Sequence, residues 1–212
     1  MTYTLLASAF GGYLLGSIPF GLVLCWMAGL GDIRKIGSGN IGATNVLRTG
    51  RKDLALLTVL LDASKAGFAA WLARKLAPSE SIMLYGMMTN TALLASLIAG
   101  VAAILGHNFP VWLGFKGGKG VASAFGFILV ISPTVALLAL GTWLIFAFAF
   151  RYSSLAALAA ATLTPVYAYF FAGEIEAIFF TAIAVLVLVR HHANIARLIK
   201  GTESKISFKK KA

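Results

Sequence analysis

Residues 121–150 read VASAFGFILVISPTVALLALGTWLIFAFAF, thirty positions without a single charge, interrupted only at Ser132-Pro133. As one straight helix this stretch measures about 45 Å. A hydrocarbon core of about 30 Å would force it into strong tilt. As two legs meeting at Pro133, each leg is short for the bilayer and is completed by residues of the flanking loops. Positive charge decides between the two. Of the 18 Lys and Arg, fifteen fall in four segments: 34–52, Lys116 with Lys119, Arg151, and 190–211. The positive-inside rule gathers such segments on the cytoplasmic face, and only two crossings within 121–150 put all four there.

The rest of the chain fits that frame. With 212 residues, 59% of them hydrophobic and 12% charged, and a mean hydropathy of +0.88, it carries about half the charge of a soluble domain. Apolar runs predict helices at about 4–28, 54–76, 82–105, 118–132, 134–150, 154–172 and 175–190. The expectation is an all-α polytopic membrane protein with seven transmembrane helices, N-terminus outside and C-terminus cytoplasmic. One integral-membrane domain covers 1–212, with a basic tail at 204–212. The first run lacks a basic flank and is too long for a signal peptide, so it reads as a retained span. Arg74 and Lys75 fall at the opposite end of the second span and snorkel to the outer interface. Cys25 is the only cysteine, which excludes an internal disulfide. The net charge of +11 becomes a basic inner face suited to anionic lipid and anionic substrates. Nucleic acid is not an expected partner, since no soluble basic domain is present to hold it.

Sidedness extends to the chemistry. The outer connections are short and plain, whereas the inner ones are rich in glycine, amide and basic residues. In GSGNIGATNVLR, residues 37–48, the glycines free backbone N–H groups to form an anion-binding concavity. Ser38, Asn40, Thr44 and Asn45 add neutral donors beside Gly39, and Arg48 adds a fork suited to phosphate oxygens. An ordinary polar turn is the competing reading. The segment GFKGGKG, residues 114–120, fails the nucleotide P-loop spacing: Leu113 stands where a glycine belongs, and Gly120 follows Lys119. Gly117, Gly118 and Gly120 beside Lys116 and Lys119, at the start of a helix, still favour phosphate over a plain basic loop. His191 and Asn194 share a helical face, followed by Arg197 and Glu203. Asp62 and Lys65, one turn apart inside a span, either pair structurally or face the site. No cluster has metal-ligand spacing, so neither a metal nor another cofactor is expected. Residues five after each histidine are Trp112, Ala196 and Arg197, which excludes a His-x4-Asp dyad. No Ser-His-Asp set suggests itself.

Together these segments resemble the bacterial acyl-phosphate:glycerol-3-phosphate acyltransferase family. GSIPFG at 16–21, GSGNIGATNVLR at 37–48, GHNFPVWLGFKGGKGVA at 106–122 and HHANIARLIKGTE at 191–203 match its pattern in order and spacing. DASKAG at 62–67 departs from the family's Asp-x-x-Lys-Gly at Ala66. The resemblance implies transfer of a fatty acyl group from acyl-phosphate to the primary, sn-1 hydroxyl of glycerol-3-phosphate, giving lysophosphatidic acid and inorganic phosphate in the bacterial inner membrane. It assigns essential roles to Ser38 and Arg48 and glycerol-3-phosphate binding to the loop with Lys116 and Lys119. It assigns activity to His191 and Asn194, structural support to Glu203, and a contribution to Ser154. The implied partners are the two substrates and membrane lipid, with no obligate protein partner. Two rival classes remain on sequence grounds: an anion transporter, disfavoured because polar residues do not line the outer halves of the spans, and a non-catalytic lipid-binding scaffold.

Overall fold

The computed structural model describes residues 1–37 and 39–206. Ser38 and the end of the basic tail, 207–212, lie outside the described residues. In chain order the elements are α1 (Thr2–Gly16), α2 (Phe20–Met27), α3 (Ala43–Val46), α4 (Lys52–Leu76), β1 (Ser81–Leu84), β2 (Met87–Asn90), α5 (Thr91–Asn108), α6 (Val121–Ile131), α7 (Pro133–Phe150), α8 (Ser153–Phe171), α9 (Glu174–Arg190) and α10 (His192–Ile199). Among the described residues, five segments are long and apolar enough to cross a membrane: Thr2–Met27, Lys52–Leu76, Thr91–Leu113, Pro133–Phe150 and Ser153–Phe171. The pair α9 and α10, bent by 60°, makes a sixth when taken together as one broken span. Helix α6 is apolar but only 11 residues long.

The run expected as one helix over 4–28 is parted at 17–19 into α1 and α2, where Pro19 precedes the second. Two further local features differ from expectation. The run predicted to begin a helix at 82 instead opens with an antiparallel hairpin, Leu84 paired with Met87 across Tyr85-Gly86. Both turn residues have positive φ, 50° and 82°, the conformation a tight two-residue hairpin turn requires. An apolar run of this length carries no periodicity that separates strand from helix, and the Tyr-Gly turn signal outweighs it. Helix α5 then starts at Thr91, where Asn90 Oδ1 accepts from the Leu93 N–H at 2.7 Å. The second difference is in α6, which begins at Val121 rather than 118 because Gly120, at φ 80°, still belongs to the loop. The break at Ser132-Pro133 falls where the sequence placed it. Pro133 opens α7, and Ser132 caps it through the Val135 N–H.

The chain divides into two compact units, Met1–Ile131 and Ser132–Ala212. In the first, small residues let backbones touch, as is common between membrane helices. A Cβ on Gly12 or Gly16 of α1 would strike the carbonyls of Ala99 and Ala103 in α5, and one on Gly106 would strike Tyr13. These pairs rise together, so α1 and α5 run in the same direction. Helix α4 runs against α5: Ser96 Oγ donates to Ala70 O at 2.8 Å, and Lys65 meets His107. Gly126 of α6 lies against Ala63 of α4 and Val130 against Gly67, so α6 runs with α4. The consequence is positional. The connections 28–51 and 109–120, which hold both glycine-rich segments, emerge at one end of this unit, and the hairpin lies at the other.

Candidate functional site

The first glycine segment is built around Asn45, which is 1% exposed. Its Nδ2 donates to Ile33 O at 2.8 Å, tying α3 to the turn at 33–35. Its Oδ1 stands 3.5 Å from Arg48 Nη1. Arg48, an exposed residue, lays its side chain over Gly37: a Cβ there would meet the guanidinium, Arg48 Cδ and Asn45 Oδ1, and φ is +56° besides. Gly37 is therefore required twice, by conformation and by the approach of Arg48. Asn40 Oδ1 accepts from the Gly42 N–H at 3.1 Å, the Asx turn that starts α3, and the Gly39 N–H closes a turn on Ile36 O. Thr44 is exposed. Asn40 and Asn45 thus shape the loop, while Arg48 and Thr44 face outward. Arg34, nearby, is held by a two-point pairing with Asp32 at 2.7–3.1 Å. Hydrogen bonding from Arg34 keeps the Asp32 carboxyl down at about 2.

In the second segment the backbone departs from the expected nest. The Gly117 N–H donates to Asn108 O at 3.2 Å and the Gly118 N–H to His107 O at 3.0 Å. These two amides are turned to the last residues of α5 and not to an anion. Hydrogen bonding to a carbonyl already in place satisfies them without a ligand. The glycines serve close approach instead. A Cβ on Gly117 would strike His107 O and Pro110, and one on Gly118 would strike the His107 ring. Pressed onto α5 in this way, the loop carries Lys116 exposed and Lys119 half-buried into the start of α6.

Asp62 and Lys65 do pair, at 2.9 Å, with both side chains under 5% exposed. Lys65, expected either to pair or to face the site, does not present its ammonium to solvent. The same Nζ lies 2.8 Å from Ile18 O and 2.9 Å from His107 Nδ1, below the ring of Phe20. Ala66, where the family pattern has glycine, is fully buried.

In the second unit the hub is Glu203. Its Oε1 accepts from Ser154 Oγ at 2.7 Å and Asn194 Nδ2 at 2.6 Å, and its Oε2 pairs with Arg197 Nε at 2.6 Å. Burial pushes the Glu203 carboxyl up, but the three donors outweigh it and hold it below its ordinary value. Arg151 donates to Ile206 O, and the Ile206 N–H returns to Arg151 O, pinning the segment after α10 beside the start of α8. His191 is 2% exposed at the junction of α9 and α10, with Nδ1 2.8 Å from Val187 O. His192 is exposed beside it. His191, Asn194, Ser154 and Glu203 thus occupy one end of the second unit. His107 is the residue whose part sequence reasoning missed. It entered there only to exclude a dyad, although a histidine in the last turn of a span, directly before a glycine loop, was signal enough.

The fold and these loops define an integral membrane protein of several apolar helices with basic, glycine-shaped connections. A family model described as glycerol-3-phosphate acyltransferase matches residues 6–201, and the chain belongs to that family. Among its relatives, the glycerol-3-phosphate acyltransferase of Rhodospirillum rubrum is 57% identical over 96% of this chain and 92% of its own length. That of Mesorhizobium japonicum is 52% identical over 99% and 100%. The chain is also similar to a crystal structure of the integral membrane glycerol 3-phosphate acyltransferase PlsY (YgiH) in its glycerol 3-phosphate form. That similarity has a TM-score of 0.82 and 36% identity over 96% of both chains. The lysophosphatidic acid form of the same protein matches with a TM-score of 0.80.

Proposed function

We propose that this protein transfers a fatty acyl group from acyl-phosphate to the sn-1 hydroxyl of glycerol-3-phosphate. The observation that carries the reading is the emergence of two glycine-shaped basic loops at one end of the first unit, because both substrates bear phosphate. Arg48, with Ser38 and Thr44, holds the phosphate of the acyl donor, and Lys119 with Lys116 holds that of glycerol-3-phosphate. The glycerol oxygen attacks the acyl carbonyl, and the carbon–oxygen bond to phosphate breaks. The departing phosphate dianion takes the hydroxyl proton, so the reaction needs no dedicated protein base and no metal. Positioning and charge neutralisation supply the rate. The family pattern adds activity roles for His191, Asn194 and Ser154, with Glu203 in support. In this reading the chain crosses seven times, α6 completing a short crossing through its loop and the C-terminus lying inside, so that the chemistry belongs to the cytoplasmic face of the inner membrane. The relatives' names, and the product-bound form of the similar structure, favour the activity over an anion carrier.

The deciding experiment measures lysophosphatidate formation by purified protein, with palmitoyl-phosphate and palmitoyl-CoA as separate donors. Turnover with the phosphate donor alone is expected. Equal turnover with the thioester would remove the phosphate of the acyl donor from the first loop.

A further inference from the structure

Below the second glycine loop lies a charge cluster that the reaction does not use directly. Lys65 has three N–H donors and no acceptor. Three groups stand within reach: Ile18 O at 2.8 Å, Asp62 Oδ1 at 2.9 Å and His107 Nδ1 at 2.9 Å. Asp62 Oδ1 also stands 3.5 Å from His107 Nδ1. Against a charged Lys65, which cannot accept, Nδ1 takes the acceptor role, and the ring proton of a neutral imidazole then sits on Nε2. The far edge of that ring is the surface on which Gly118 rests: a Cβ on Gly118 would overlap Nε2 and come within 2.8 Å of Cδ2 and Cε1. The His107 carbonyl takes the Gly118 N–H at 3.0 Å. His107 therefore touches the loop through both its backbone and its ring, and Lys65 and Asp62 set the ring. The cluster joins the end of α1, the middle of α4 and the end of α5.

We infer that Asp62, Lys65 and His107 form a buried bracket that sets the height of the 117–120 loop, and that His107 is a positioning residue for glycerol-3-phosphate through Lys119. This deepens the proposed function and rests on its assignment of the second loop. It also explains why a membrane helix retains two ionised groups, each costly to bury, where a purely apolar pair would pack. A bracket that fixes a phosphate-binding lysine acts on substrate affinity more than on the acyl-transfer step.

The test is a double-mutant cycle on the full chain in bilayers, measuring KM for glycerol-3-phosphate and kcat per folded enzyme. Gly118→Ala, which crowds the ring from the loop side and leaves the ion pair intact, is expected to raise KM about tenfold with kcat within threefold. In a His107→Ala background, where the ring is gone, the same change is expected to cost less than twofold more. His107→Asn, which keeps an acceptor for Lys65, is the second background should His107→Ala fold poorly. A full tenfold cost of Gly118→Ala in every background, or a change in melting temperature with KM unmoved, would overturn the bracket. Lys119→Ala run alongside separates the two readings. If it leaves KM unchanged, the phosphate assignment of the loop fails. If it raises KM while the cycle is additive, the bracket alone fails. With three histidines in the chain, nitrogen NMR of labelled protein gives a readout independent of activity. A His107 ring protonated on both nitrogens would contradict the tautomer.

Discussion

Each unit of the molecule gathers its polar side chains around one carboxylate, and the two gatherings are built on different terms. Asp62, inside α4, is met by Lys65 with both side chains almost fully buried. Glu203, beyond α10, is met by Ser154, Asn194 and Arg197, of which Arg197 remains 41% exposed. The first cluster is a matched pair of charges in a low-dielectric interior. The second is a fan of hydrogen bonds at an end open to water. Removing one member of the first strands a charge, whereas removing one of the second leaves donors that water can reach.

The largest expected effect follows from that difference. Lys65→Met leaves Asp62 buried and unpaired, and is expected to destabilise the fold by about 3–5 kcal/mol, read as a fall in melting temperature in detergent. Adding Asp62→Asn should recover most of the loss. No recovery would mean that the pair is not the reason for its own burial.

Arg48→Ala comes next, and is expected to lower the acyl-transfer rate by about a hundredfold, the size of losing one well-aimed charge stabiliser, with melting unchanged. A loss under threefold would remove Arg48 from the chemistry and return the first loop to a polar turn.

Glu203→Gln is milder, about 1–3 kcal/mol, because a neutral amide still accepts from some of the same donors. It also carries a pH signature. The folded carboxyl lies below its ordinary value of 4.5. Its contribution is therefore fully present above that value and is lost as pH falls through the lowered one. Acid melting curves of wild type and variant should converge toward low pH; parallel curves would deny the linkage.

Asp32→Asn is expected to have the smallest effect, with melting and activity indistinguishable from wild type, since its pairing with Arg34 is solvent-exposed. A large loss would mean that the turn at 33–35 positions Arg48 through Asn45 more tightly than its hydrogen bonds indicate.

Much of this architecture was legible in the residues, for reasons that differ by element. The break at Pro133 could be read because proline lacks the N–H that a continuous helix needs. Asp62 and Lys65 could be paired on sight because one helical turn separates them. The hairpin at 81–90 could not, because stretches as short as Ser-Ile-Met-Leu and Met-Met-Thr-Asn on either side of Tyr-Gly satisfy a helix and a strand equally. The glycines of 117–120 were recognised as necessary, but their purpose was misread. Glycine permits both an exposed amide nest and close backbone contact, and only the position of His107 shows that contact is the use made of Gly117 and Gly118.

The sequence by itself determined that the chain lives in a membrane, that its longest apolar run breaks at Pro133 and where its glycine-rich basic segments lie. Those properties are local: they depend on hydropathy, charge and backbone permissions counted along the chain. Tertiary structure alone decided that Lys65 is buried against Asp62, Ile18 and His107, and that Asn45 ties its helix to the Ile33 carbonyl. It also decided that Glu203 collects Ser154 and Asn194. Each of those outcomes depends on which group lies within 3 Å across 9 to 49 residues of chain, as in the bonds of Lys65 to Ile18 and of Ser154 and Asn194 to Glu203. Side-chain direction and helix packing set such distances, and spacing along the chain does not reveal them.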